Sequence, residues 1–436
     1  MASALLFAVC ALCLLQCILF KRDFFGPISV YLFSQCLSLG ISWFCLMPLM
    51  TPWHANTWAV FIESAITFTL GCICARLAWA ARHPAEKITS NSPTRELLEW
   101  ANRGYNWSLH MALTVLAFLY FCTGVVAEFR DIGTLILFSK NIAYHMTIEG
   151  CPNVGIFAYP LNSAPLVCVL CAIGCFSRLD PHRKLRIAFR ILFVLAICLG
   201  FIVMPNRISI FSISLIVAYL FNLVCKRIKP LAIILGIVLA VAAFMGVAQV
   251  KGQSGNVLDA LAEKGTWTLP YSYIANNWWN LDYALNRPVD QNEHPQIYGL
   301  EFIHGLLMPT AVIGKIFNAY GFDGIFNNSS AKTPSLNTIP YQWSLYKDFG
   351  YPGAVAIPFL FGLFIGTLYA LVRSRGRIVH IALYSVILFF VTLWFFEEFW
   401  ANFLYVSWAA AILFVTSLCG RGTKSGKEPP ERILQQ

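Results

Sequence analysis

The first candidate for chemistry is Arg207, in the segment IVMPNRISIF, where the polar pair Asn206-Arg207 separates two long apolar runs. An arginine guanidinium is a permanent cation whose planar donors fit phosphate oxygens in pairs. An arginine can also extend from the end of an apolar helix to lipid headgroups and serve no catalytic purpose. Residue type alone leaves both interpretations open, and the position of the two runs decides between them.

Two further arginines are candidates for an anion site. Arg130 lies in EFRDIG between Glu128 and Asp131, so a local ion pair is an equally good explanation. Arg287 lies in the turn-like ALNRPVD, where a solvated loop charge is the alternative. The long segment around Arg287 is not basic overall, so any anion site there must come from a few converging side chains.

Four carboxylates could orient or deprotonate a substrate hydroxyl. Glu63 lies about two turns inside an apolar run, where an ionisable group is a functional candidate by default. Asp348 precedes Phe-Gly, and an alternative role is to cap a helix. Glu397 and Glu398 are adjacent in WFFEEFWANF, and an alternative role is to favour the positive N-terminus of the last helix.

Aromatic and amide residues are concentrated in TWTLPYSYIANNWWNLDY. Such residues form belts at the surface of a membrane, but aromatic faces also pack on the apolar faces of sugars. We therefore predict a sugar-binding role for part of this segment and for two residues downstream. The predicted sugar contacts are Tyr271, Trp278, Trp279, Asn280, Tyr341 and His304.

Composition indicates which elements must position these residues. The 436-residue chain is 58% hydrophobic and 12% charged, about half the charged fraction of an ordinary soluble domain. Apolar runs of 18 or more residues recur along its length, each sufficient to cross about 30 Å of hydrocarbon as a helix. We predict an all-α polytopic integral membrane protein with about 11 transmembrane helices.

The predicted spans leave two long segments on one side. They are Ala2–Phe20, Ile28–Met50, Trp58–Ala80, Ser108–Ala127, Phe157–Phe176, Ile187–Met204, Ile208–Cys225, Leu231–Val250, Tyr351–Val372, Ile378–Phe396 and Asn402–Cys419. Most of the 31 basic residues fall on the other side, which the positive-inside rule makes cytoplasmic. The N-terminus and Arg207 are then outside.

This layout predicts four regions. An N-terminal membrane region with eight spans covers residues 1–250 and includes an outer loop at about 128–156. A large outer loop covers residues 251–350, and its length marks it as functional or separately folded. A C-terminal membrane region with three spans covers residues 351–419, and an inner tail covers residues 420–436.

Several function classes lack their motifs. The chain has no P-loop, no dinucleotide-binding glycine pattern, no zinc-protease pattern and no hydrolase nucleophile elbow. Its 15 cysteines lie mostly in apolar runs without His, Asp or Glu beside them, which favours small apolar packing over metal binding. We expect no cofactor, no metal and no nucleic-acid partner.

One segment, NTIPYQWSLYKDFGYPGAVAIPFLFGLFIG, resembles the oligosaccharide repeat-unit polymerases, the O-antigen polymerase family of bacterial inner membranes. In that family the large outer loop ends in N-x-x-T, aromatics and D-F-G-x-x-G. The matching positions are Asn337, Thr338, Tyr341, Tyr346, Asp348, Phe349, Gly350 and Gly353. Thr338 follows Asn337 directly, which departs from the pattern, and Asn206 replaces the glycine of the family's G-x-R.

The resemblance implies an architecture similar to GT-C glycosyltransferases, acting on the periplasmic side. A sugar hydroxyl of one undecaprenyl-pyrophosphate-linked repeat unit attacks the growing glycan on another, and lipid pyrophosphate leaves. Arg207, assisted by Arg130 and Arg287, would bind that pyrophosphate. The implied partners are the lipid-linked donor and acceptor and membrane lipids, with a chain-length regulator protein as a further candidate.

Two alternatives stay open at the level of sequence. A glycan ligase, which moves finished chains onto lipid A core, would handle the same donor. A flippase would be a transporter of the same lipid-linked units, but transporters usually place polar groups near mid-membrane and contain internal repeats.

Overall fold

The computed structural model describes residues 2–19, 24–46, 53–83, 95–132, 158–176, 183–203, 207–225, 227–229, 231–239, 242, 268–286, 338–397 and 403–421. Every regular element in these ranges is a helix, which confirms the all-α class for this part of the chain. The helices, in chain order, are α1 (Ala2–Leu19), α2 (Pro27–Ser42), α3 (Ala55–Arg82), α4 (Arg95–Ala101), α5 (Trp107–Ile132), α6 (Ala158–Leu161), α7 (Ala164–Phe176), α8 (Arg183–Val203), α9 (Arg207–Val224), α10 (231–239), α11 (Thr268–Asn286), α12 (Gln342–Arg375), α13 (Ile378–Leu393) and α14 (Phe403–Cys419).

Four of the described helices are long and apolar enough to cross a membrane, judged by length and composition. They contain the segments Ala55–Arg82, Trp107–Arg130, Lys184–Ile202 and Gln342–Arg375. Shorter apolar helices accompany them, and together they are compatible with a multi-pass membrane protein. The count of eleven spans stays a prediction.

The chain divides into two compact units that do not follow the predicted regions. The first unit comprises Met1–Ser90, Asp259–Ala370 and Phe390–Ser407, so it contains α1, α2, α3, α11 and most of α12. The second comprises Asn91–Leu258, Leu371–Phe389 and Trp408–Gln436. The start of the chain and the large loop therefore belong to the same unit, although about 170 residues separate them in the sequence.

In the first unit, α3 and α12 pack with their backbones in direct contact. A Cβ atom on Gly362 would overlap the carbonyl oxygen of Phe68, and one on Gly71 would overlap the carbonyl oxygen of Phe359. Gly366, one turn after Gly362, lies against Cys72 in the same way. Small residues at a four-residue spacing are a common means of bringing apolar helices together, because the hydrophobic effect provides little attraction between helices in lipid.

Two predicted spans differ from the observed helices in shape. Phe157–Phe176 is predicted to be continuous, but it divides into α6 and α7 at Ser163, whose hydroxyl donates to the carbonyl of Pro160 at 2.6 Å. Prolines 160 and 165 explain the break, because neither has an amide hydrogen for a continuous helix. The span predicted to begin at Tyr351 does begin there, because the non-helical backbone of Gly350 divides α12 into two helical segments; the additional segment from Gln342 to Phe349 was not predicted.

In the second unit, a single asparagine fixes the turn that follows α12. The Asn102 amide nitrogen donates to the carbonyl of Gly376 at 2.9 Å, and its side-chain oxygen accepts from the amide of Ile378 at 2.9 Å. Gly376 has a φ of 58°, which favours glycine because a Cβ is strained there. Asn102 thus satisfies backbone groups on both sides of a tight turn.

The contact between α3 and α12 predicts an unequal response to two Gly→Ala changes. Gly362→Ala should destabilise the protein by about 1–3 kcal/mol, because the added methyl must push two backbones apart. Gly236→Ala is the matched control, since Gly236 is also helical and a Cβ there meets nothing within 4 Å. That change should be neutral or stabilising by up to about 1 kcal/mol, through helix propensity.

Thermal unfolding of both variants in detergent, followed by tryptophan fluorescence, checks this. Equal melting temperatures for the two variants would contradict the observed helix contact.

Candidate functional site

Helix α11, the start of the large loop, packs into the first unit against α2. The indole nitrogen of Trp278 donates to the hydroxyl of Ser38 at 2.9 Å, and Ser42 donates to the carbonyl of Ala275 at 2.9 Å. The Tyr271 hydroxyl accepts from the amide of Leu46 at 3.0 Å. These bonds lie along the length of α11, so this polar helix is a fixed part of the unit.

An aromatic cluster joins α11 to the segment between α2 and α3. The Trp278 ring lies 5.6 Å from Trp53 and 5.5 Å from Phe61, measured between ring centroids. Trp58 lies 5.2 Å from Trp43 and 5.3 Å from Trp53. Centroid separations in this range are typical of favourable aromatic pairs. The cluster places the N-terminus of α3 beside the C-terminal half of α11.

The two ends of the large loop are hydrogen-bonded to each other. The Thr338 hydroxyl donates to the side-chain oxygen of Asn277, and the Asn280 amide donates to the Thr338 carbonyl at 3.0 Å. Asn277 and Asn280 are fully buried on α11. Buried amides need such partners because desolvating them without a hydrogen bond is costly. The threonine of the polymerase-like motif is therefore held by the asparagines of the aromatic segment.

Asp282 and His54 form the clearest reactive pair in the described part of the chain. The Asp282 side chain is 3% exposed, and its Oδ2 lies 3.0 Å from Nδ1 of His54, whose ring is 60% exposed. Asp282 Oδ1 accepts from the backbone amide of His54 at 2.9 Å and from the hydroxyl of Thr57 at 2.6 Å. Because the carboxylate accepts, Nδ1 carries the proton and the lone pair of the neutral ring is on Nε2.

Both glycines of the DFGYPG segment occupy positions where a larger side chain would be unfavourable. Gly350 has φ 68° and ψ −165°, a conformation that L side chains rarely adopt, and it creates the bend in α12. A Cβ on Gly353 would overlap the Phe349 side chain and approach the carbonyl of Leu345 within 2.9 Å. Asp348 is fully buried inside the first half of α12. It lies in the helical segment that precedes Gly350, so it is not the N-cap of the segment that begins at Tyr351.

Two of the carboxylate candidates have defined surroundings in the same unit. Glu63 is half-buried on α3 and hydrogen-bonds Tyr351, the residue after the bend in α12. Glu397 follows α13, and burial raises the pKa of its carboxyl from 4.5 to about 7. A carboxyl with that pKa can exchange a proton near neutral pH.

The predicted site residues separate into three groups. The first unit contains Glu63, Tyr271, Trp278, Trp279, Asn280, Tyr341, Asp348 and Glu397. The second unit contains Arg130, which is exposed near the end of α5, and Arg207, which is the first residue of α9. Arg287, His304 and Glu398 lie outside the described residues. The roles predicted for all these residues stay predictions.

Burial changes the interpretation of the predicted sugar contacts. The five that the structure describes are all buried: Tyr271, Trp278, Trp279, Asn280 and Tyr341. Trp278 and Tyr341 are both 0% exposed. The Tyr341 hydroxyl lies 2.9 Å from that of Tyr31, and its ring is tilted by 33° against Trp394 at a centroid distance of 4.8 Å. In this structure both side chains stabilise the interior of the unit, and their ring faces are covered by protein.

His54 and Thr57 were not predicted as site residues, because both lie in TPWHANTW, at the edge of an apolar span. The sequence did contain an indication of their pairing, because His54 and Thr57 are three residues apart at the start of a helix, and side chains at that spacing lie on the same helix face. The partner carboxylate lies more than 220 residues further along, so its identity could not be inferred from spacing.

Comparison of the chain with protein-family models, with curated proteins and with solved structures gives no match. The function must therefore be inferred from the chemistry of the site and from the polymerase-like segments.

The raised pKa of Glu397 predicts pH-dependent stability. The folded protein binds a proton at Glu397 up to about pH 7, whereas the unfolded chain releases it near pH 4.5, so stability falls as the pH rises through this window. Glu397→Gln is neutral throughout and should melt at a higher temperature than the wild type at pH 8. Below pH 4.5 the difference should vanish, which serves as the internal control, and a constant difference would contradict the burial effect.

The contact that closes the large loop predicts a second difference in stability. Thr338→Val leaves the buried Asn277 oxygen without its donor and should cost about 1–3 kcal/mol. Thr367→Val is the matched control, because Thr367 is an exposed residue of α12 that only donates to the carbonyl of Leu363. Scanning fluorimetry in detergent should show a lower melting temperature for Thr338→Val alone.

Proposed function

We propose that the chain is a glycosyltransferase that polymerises undecaprenyl-pyrophosphate-linked repeat units on the periplasmic side of a bacterial inner membrane. In each transfer, a hydroxyl oxygen of the acceptor unit bonds to the anomeric carbon of the donor glycan. The bond from that carbon to the pyrophosphate oxygen breaks, and the electron pair leaves with lipid pyrophosphate. The hydroxyl proton passes to a base on the protein.

The observation that supports this proposal most is the contact between Thr338 and the asparagines Asn277 and Asn280. The polymerase-like segment at the end of the large loop and the aromatic segment predicted to bind sugars are thereby parts of one packed unit.

The surroundings of this contact suit a lipid-linked glycan. The N-terminus of α3 provides the exposed imidazole of His54 next to the partly exposed rings of Trp43 and Trp58, and the rest of α3 is mainly apolar. A polyprenyl pyrophosphate needs apolar contacts for its chain, cations at headgroup level for its phosphates and hydrogen bonds outside for its sugars. In the predicted orientation this end of the unit is periplasmic, and the bundle is GT-C-like.

Each candidate residue has a role in the proposed reaction. Arg207, with Arg130 and Arg287, neutralises the departing pyrophosphate, a charge stabilisation that is often worth several kcal/mol. Glu63, Asp348, Glu397 and Glu398 are the carboxylates that orient or deprotonate the acceptor. Among those with described surroundings, Glu397 has a pKa suited to proton transfer at neutral pH.

Deletion of the gene in its source organism tests the proposal. Surface polysaccharide should change from long chains to caps of a single repeat unit, seen by gel electrophoresis and mass spectrometry. Persistence of long chains contradicts the proposal. Accumulation of lipid-linked polymer would identify a ligase, and retention of single units on the inner leaflet would identify a transporter.

Arg207→Ala tests the predicted pyrophosphate contact in the complemented deletion strain. At wild-type protein level the variant should give single-unit caps, because the leaving group loses its fixed cation. Lys229→Ala is the control, since Lys229 is an exposed cation beyond the other end of α9. Wild-type chain lengths with Arg207→Ala would remove this arginine from the mechanism.

A further inference from the structure

We propose that His54 is the general base of the transfer step and that Asp282 is its positioning residue. This inference rests on the proposed function, and it assigns the proton acceptor that the carboxylate candidates leave open.

Exposure favours His54 over two of the carboxylates. A general base must reach the hydroxyl proton of a bound substrate, directly or through one water. The His54 ring is 60% exposed at the N-terminus of α3. Asp348 is fully buried, and Glu63 is half-buried and hydrogen-bonded to Tyr351.

Asp282 gives the ring a defined orientation. Its Oδ2 accepts from Nδ1 of His54, while its Oδ1 is held by the amide of His54 and the hydroxyl of Thr57. The amide of Asn286 also lies 3.4 Å from Oδ1. A carboxylate fixed from several directions cannot follow the ring, so the ring aligns with the carboxylate. An imidazole whose Nδ1 is held by a buried carboxylate is the arrangement that stabilises a transient imidazolium.

The proton balance of the step follows from this geometry. As the acceptor oxygen bonds to the anomeric carbon, its proton moves to Nε2 of His54. The imidazolium formed is stabilised by the negative charge of Asp282, and the departing pyrophosphate takes the electron pair of the broken bond. Loss of the Nε2 proton to water then restores the base, and no other reactant is needed.

The chain offers a control for His54 on the same helix. His83 follows the other end of α3, where its ring stacks on Trp79 at a centroid distance of 4.2 Å. His83→Gln removes an imidazole without touching Asp282 and should leave the transfer rate unchanged.

The test uses the full-length protein in vesicles and single-repeat lipid-pyrophosphate units extracted from the deletion strain. His54→Asn preserves a residue suited to the helix N-cap, so it should fold, and it removes the base. The rate of elongation should fall by about 100-fold or more, the usual contribution of acid–base catalysis. Imidazole added to His54→Ala should restore part of the rate, which a structural role would not predict.

A double variant tests whether Asp282 acts through His54. Asp282→Asn alone should slow elongation, but in a His54→Asn background it should cost nothing further per folded molecule. Additive losses would overturn the positioning role. The melting temperature of each variant corrects for loss of folded protein.

The outcomes separate the two proposals. A wild-type elongation rate in His54→Asn would overturn the assignment of His54. So would an equally large loss of rate in Glu397→Gln, if imidazole also failed to restore the rate of His54→Ala. In either case the proposed polymerase function would still stand. Absence of elongation by the wild-type protein would overturn the proposed function itself.

Discussion

The first unit depends on one constraint, which is that the polar atoms of its buried helix α11 must find partners inside the protein. Asp282 meets this constraint with three acceptor bonds to the N-terminus of α3, and Asn277 and Asn280 meet it with Thr338. Removing any one partner would leave a buried polar group without a hydrogen bond in apolar surroundings. For a charged group, this would lower the free energy of unfolding by several kcal/mol. The constraint therefore holds the start of the chain, the large loop and α12 in one structure.

The same bonds relate segments that the charge pattern assigns to one side of a membrane. Helix α11 contacts the turn after α2, the start of α3 and the residues before α12, and Tyr341 also donates its amide to the carbonyl of Trp394, after α13. Contacts establish that these segments share a side of the bundle. The identity of that side comes from the distribution of basic residues, because a contact carries no information about which compartment it faces.

The helical class and the approximate helix positions could be predicted from the sequence because long apolar runs have few alternatives in structure. The break before α7 and the helical segment before Gly350 were not predicted, because both depend on local backbone conformation next to an apolar run. For the site, residue types on α11 were recognised, but the pairing of Asp282 with His54 was not. Such a pairing is set by tertiary packing between segments far apart in the chain, and helical spacing reports only neighbours within one helix.

The hydrogen bond between Asn280 and Thr338 affects how the amino-acid sequence between α11 and α12 can change in evolution. The residues on either side of the stretch 287–337, at the end of α11 and before α12, are already held next to each other by this bond. Even an unstructured connection between two tethered points costs only about 0.6 kcal/mol more when its length doubles. Insertions and replacements in this stretch could therefore accumulate without unfolding the helices around it.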